Sequence, residues 1–153
     1  MKKILLSLVV MFVSTIAVNA IGVGSQSSVI SGLNESDDIA GTYSGTATAI
    51  KMDGITLVIP VSVQGSFTVD ANGIISGNFS ATNHDFSMKS SEPISEGDFS
   101  DVEVRGDIGD GRKYTGKISG TLSNGSLSFT CSAYMDSDNN KTKESVFTFD
   151  GLK

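Results

Sequence analysis

From Ile55 onward every second residue is apolar or glycine: Ile55, Leu57, Ile59, Val61, Val63, Gly65, Phe67 and Val69. Between them stand Thr56, Val58, Pro60, Ser62, Gln64, Ser66 and Thr68. Side chains alternate across a strand, so this spacing predicts a long β-ribbon with one dry face and one mostly wet face. Asp70-Ala71-Asn72-Gly73 then turns the chain, and Ile75, Gly77 and Phe79 resume the alternation on the way back. Pro60 has no amide hydrogen and belongs at an edge or a bend, so Pro60 or Gly65 is expected to kink the ribbon or divide it.

The same alternation recurs along the chain. Tyr43, Gly45, Ala47 and Ala49 share one face of a first strand that Asp53-Gly54 joins to the ribbon. Phe86 and Met88 follow, then Val102 and Val104, then Tyr114, Gly116, Ile118, Gly120 and Leu122. Asn124-Gly125 is a strong hairpin signal. Leu127, Phe129, Cys131 and Ala133 line one further face, and Phe147 and Phe149 another. About eight strands with short connections, and no amphipathic helix of useful length, suit an antiparallel barrel or sandwich. Sequential hairpins favour the up-and-down barrel, in which pairing the last strand with the first removes exposed edges. Ile75-Ser76-Gly77-Asn78-Phe79-Ser80 is echoed by Ile118-Ser119-Gly120-Thr121-Leu122-Ser123, which reads as two tight corners of one wall.

The organisation expected is a signal peptide over 1–20, a flexible Gly/Ser-rich leader over 21–38 and a β-barrel domain over 39–153. Lys2 and Lys3 precede the apolar run Ile4–Ile16, and Val18-Asn19-Ala20 offers small side chains for cleavage, with a retained anchor as the alternative. Cys131 is the only cysteine, so a lipid anchor on a cysteine after the cleavage site is not available, nor is a disulfide framework. The chain is therefore expected to be exported, to the periplasm or beyond, without lipidation. Loss of residues 1–20 removes Lys2 and Lys3 but no acidic residue, moving the net charge from −6 to −8. Such a surface disfavours nucleic acid and anionic lipid. Membrane insertion as an outer-membrane barrel is not expected either, since the strands are short and aromatic girdles are lacking.

Catalytic signals are weak. His84 is the one histidine and has only its sequence neighbour Asp85 as an orienting carboxylate. One His and one Cys leave zinc without its usual ligands. Asp136-Ser137-Asp138-Asn139-Asn140 opens like a calcium loop, but Lys141 and Phe147 stand where glycine and a bidentate Glu are needed, and a hairpin turn explains it better. Asp101 and Glu103 share a strand face and read as solvated charges. Asn34, Asn78, Asn124 and Asn140 begin sequons that matter only in a glycosylating host. No enzyme and no cofactor are expected.

Ala40-Gly41-Thr42-Tyr43-Ser44-Gly45, Asn78-Phe79, Gly97-Asp98-Phe99 leading to Val102-Glu103-Val104, and Phe147-Thr148-Phe149-Asp150-Gly151 together resemble the calycin-like (lipocalin-like) proteins exported by Gram-negative anaerobes. The resemblance spans about Ile39 to Lys153. It departs from true lipocalins in having no Trp for their Gly-x-Trp motif. It implies a compact eight-stranded barrel with an apolar interior pocket, and it carries no settled activity. The expected function is non-catalytic binding of a small apolar ligand inside the barrel, with Tyr43, Ala47, Leu57, Val61, Phe67, Phe79, Leu127 and Phe129 as lining. The alternative is a protein-interaction or inhibitor module acting through its loops, Lys89–Asp98 being the longest.

Overall fold

A computed structural model describes residues 39–81, 84–109 and 111–153. The expected signal peptide and leader lie outside them. Eight strands run in order: β1 (Gly41–Met52), β2 (Ile55–Val69), β3 (Ile75–Ala81), β4 (His84–Ser90), β5 (Gly97–Asp107), β6 (Lys113–Ser123), β7 (Ser126–Met135) and β8 (Glu144–Leu152). Each pairs antiparallel with its neighbour, and β1 also pairs with β8, closing an up-and-down barrel. The seam is well registered, with Gly45 opposite Gly151 and Ala47 opposite Phe149.

Local chemistry makes the turns. Asp53 and Gly54 both take positive φ, 48° and 83°, the geometry that matches the twist of flanking strands in a two-residue hairpin. At the β2–β3 turn the Asp70 carboxylate accepts the amides of Asn72 at 2.8 Å and Ile74 at 2.9 Å. Those bonds, that of Ile74 foremost, hold its carboxyl below the usual range. At Asn124-Gly125 only the glycine is left-handed, with φ 87°. In the β7–β8 turn the residue that adopts positive φ is Lys141, at 50°, rather than an Asp or Asn, while the Asp138 carboxylate receives the Lys143 amide at 2.7 Å.

The inner faces meet in one core. Tyr43, Phe67, Ile118, Leu122, Leu127 and Phe149 are completely buried within it, beside Ile75, Val104 and Cys131. Two corners foreseen in the echoed Ile-Ser-Gly segments share a physical cause. Gly77 lies opposite Phe67 and Gly120 opposite Phe129. A Cβ on Gly77 would strike the Ser66 carbonyl and the Phe67 ring; on Gly120 it would strike the Ser128 carbonyl and the Phe129 backbone and Cβ. Missing side chains thus let the neighbouring strand and its aromatic residue come close, and the sheet curls there. Gly106 does the same for the Tyr114 ring, whose hydroxyl donates to the Ser87 carbonyl at 2.8 Å.

The long ribbon departs from its expected single dry face. Alternation puts Phe67 and Val69 inside, but Ile55, Ile59 and Val61 are exposed. The reason is the length of the neighbouring wall: β3 pairs only with Gly65–Val69 of β2. Among the described residues, nothing pairs with the outer edge of β2 from residue 55 to 64. The strand is not divided, yet the register with β1 jumps from Lys51↔Thr56 to Ala49↔Val61. Leu57–Pro60 therefore bulge opposite Ile50 alone, which is where the kink at Pro60 is found.

Replacing Gly120 by Ala forces apart two backbones and should lower unfolding stability by about 3 kcal/mol, the upper end for overpacking. Urea unfolding followed by circular dichroism measures it; a loss below about 1 kcal/mol would contradict the close-approach account.

Candidate functional site

Six of the eight expected lining residues come together: Tyr43, Ala47, Phe67, Phe79, Leu127 and Phe129 are all in the buried core. Leu57 and Val61 are not among them. Leu57 lies in the bulge and is half-buried, and Val61 is 41% exposed. Both stand above the low β3 wall, where strand alternation no longer maps onto inside and outside.

Aromatic rings occupy the interior. Phe67 meets Phe149 edge-on at a centroid distance of 4.6 Å and Phe129 at 5.1 Å. Phe79 touches Phe147 at 5.0 Å and stacks on Phe86 at 4.9 Å with planes 8° apart. These spacings are those of packed aromatic pairs. Phe147, Phe149, Phe86 and Tyr114 thus belong to the interior as much as the residues singled out from the sequence. Their place was signalled by the Phe147/Phe149 spacing in β8 and the Tyr114 alternation in β6.

One barrel end is covered. The loop between β4 and β5 turns Ile94 inward, 5% exposed, and its amide donates to the Gly73 carbonyl at 2.8 Å. This loop is therefore pinned through its apolar residue, leaving Glu92, Pro93, Ser95 and Glu96 outside; against expectation it is not the longest, since the β7–β8 connection over 136–143 exceeds it. At the other end, Phe86, Ile108, Tyr114, Ala133, Met135 and Phe147 line a mouth pocket of about 60 Å³.

The buried polar groups are held neutral. Burial, with a smaller contribution from Cys131, pushes the Tyr114 phenol well above its ordinary value. Burial also pushes the Cys131 thiol up to about 12. A thiol so protonated is a poor nucleophile. On the outer wall, Asp101 pairs with Lys117 at 3.2 Å and Glu103 with Arg105 at 3.0 Å, so the two carboxylates on that strand face are both matched to cations. Lys51 reaches Glu144 at 2.7 Å across the seam. That contact first, and the Ser132 hydroxyl second, lower the Glu144 carboxyl. Among the described residues no three His, Cys, Asp or Glu side chains gather as a metal site. The backbone of His84 pairs with Ala81 at the β3–β4 turn, and its side chain lies outside the described residues.

The feature that alternation did not foresee is on the surface. Among the described residues seven large apolar side chains are exposed, and six belong to the β1–β2 ribbon: Ile50, Met52, Ile55, Val58, Ile59 and Val61. Val58 is 99% exposed and Ile59 79%, although they are consecutive. No ionisable residue occurs from Gly54 to Val69. No protein family, no curated protein and no solved structure matches this chain.

Truncating Phe67 to Ala removes the ring on which two others lean and should cost about 3–5 kcal/mol. The cavity left behind is apolar, so benzene should raise the melting temperature of this variant and leave that of the parent unchanged.

For Cys131, the fold favours the protonated thiol. That stabilisation is fully present below the unfolded pKa near 9 and is lost as pH rises towards 12. Iodoacetamide at pH 8.5 should modify the native protein at least about 100-fold more slowly than the unfolded chain, as read by mass spectrometry.

Proposed function

We propose that this protein is a non-catalytic, exported binding barrel that engages a protein partner through the apolar β1–β2 ribbon. The observation that carries the reading is the pair Val58 and Ile59, both solvent-exposed in a bulge above the barrel wall. Contiguous apolar surface of this kind is characteristic of interaction sites. The barrel supports it mechanically: β1 is held between β2 and β8 over most of its length, so the ribbon is presented on a rigid base.

The sequence alone points to the Lys89–Asp98 loop as the surface of a partner-binding module. That loop spends its one large aliphatic side chain, Ile94, on the core and offers acidic and small polar groups outside. The ribbon is the better surface.

Binding of a small apolar ligand inside the barrel has narrower support. The mouth pocket is apolar, but its volume of about 60 Å³ is well below the roughly 300 Å³ at which ligand pockets begin. Native mass spectrometry of the purified protein should show the mass of the chain or of its oligomer with no small molecule added. A small molecule retained in stoichiometric amount would restore the interior reading.

The calycin-like kinship rests on the short motifs and is part of this proposal. The eight-stranded barrel agrees with it without singling it out.

The direct test is photo-crosslinking in the expressing cell, with a benzophenone amino acid in place of Val58 and, as control, in place of Thr130 on the outer wall of β7. A protein adduct from position 58 only is the expected result. Equal adducts at both positions, or none, would overturn the proposal.

A further inference from the structure

We infer that the partner at the ribbon is a second copy of this chain, so that the protein is a two-fold dimer built on β1–β2. This rests on the reading of the ribbon as a protein-binding surface and adds the identity of what covers it. Three observations favour a like copy.

The first is charge. The chain carries a net charge of −6, so two copies repel one another over most of their surface. From Gly54 to Val69 that penalty vanishes, because β2 bears no ionisable group over its whole length of 15 residues. The charged groups that flank it in β1 and its turn are Asp53, exposed at the turn, and Lys51, already paired with Glu144 within one copy.

The second is area. Ile50, Met52, Ile55, Val58, Ile59 and Val61 are between 38% and 99% exposed. Together they leave on the order of 700 Å² uncovered, against about 800 Å² per partner in a standard interface.

The third is symmetry. An antiparallel meeting of two β2 edges relates the copies by a two-fold axis, and residues 55–64 offer such an edge. In that arrangement the Leu57–Pro60 bulge of one copy packs beside the bulge of the other. Pro60 supplies no amide hydrogen at the centre, so the contact is mainly side chain on side chain, and the pair closes on itself rather than extending into a fibre. A lipid surface suits the ribbon less well. Surface-seated segments typically combine apolar residues with Lys or Arg at their margin, whereas Lys51 is engaged by Glu144 and Asp53 is acidic.

The test uses the full chain. Sedimentation velocity from about 1 to 100 μM should show the mass of a dimer at the upper end, and Val58→Asp combined with Ile59→Asp should weaken self-association at least about 100-fold. Both positions are exposed, so the variant should keep its melting temperature; Ile55→Lys serves as a second variant in case it does not. Hydrogen exchange at residues 55–64 should slow as concentration rises.

A chain that sediments as a monomer throughout, with those amides exchanging at one rate, overturns the dimer. The crosslink at position 58 then separates the causes. An adduct to a different protein overturns only the second copy and leaves the ribbon as a protein-binding surface. Absence of any adduct, together with flotation on phosphatidylcholine vesicles, overturns both.

Discussion

The contact on which this barrel depends is that of an aromatic residue drawn against a bare glycine on the next strand. Phe67 against Gly77 and Phe129 against Gly120 bring neighbouring strands closer than any side chain would permit, while Tyr114 lies over Gly106. Each such contact bends the sheet and sends the ring inward. Closure and core filling are therefore one event: the residues that curl the wall are those whose rings then meet at its centre. The 4.6–5.1 Å spacings of Phe67 to Phe149 and Phe129 are the result.

That economy has a consequence for function. A barrel of eight strands is just wide enough for its own side chains to fill it, and here aromatic rings do so. The outer wall and the ribbon are then the surfaces the core does not use. Most of that outside is conventional, with carboxylates on the β5 face matched to Lys117 and Arg105. The β1–β2 ribbon stands apart because its hydrophobic residues exceed the height of the wall that ought to cover them.

Much of the fold was legible in the residues. Alternation located the strands, the Asp-Gly and Asn-Gly pairs located hairpins, and the Ile-Ser-Gly echo marked two places of close approach. What alternation could not supply was the height of each wall. Leu57 and Val61 obey the same period as Phe67, yet only Phe67 is inside, because β3 stops after seven residues. Periodicity is a local property of one strand, while burial depends on how far its neighbours extend. For the same reason Phe147 and Phe149 were visible as apolar positions without being recognisable as partners of Phe79 and Phe67. Their contacts cross the barrel.

The seam between β1 and β8 sets the order in which such a molecule is completed. Seven of its eight pairings join strands adjacent in sequence, and each can form as a hairpin once its two strands exist. The eighth joins Ser44 to Leu152 and Ala47 to Phe149, across nearly the whole domain. Loop-closure entropy makes that the slowest contact to find. Until it forms, Phe149 meets Phe129 within the β7–β8 hairpin but not Phe67 on β2, and both edges of the sheet are open. The barrel thus has no well-packed partial form: its core is finished only when its last strand arrives, so a single cooperative step carries it from an open meander to a closed wall.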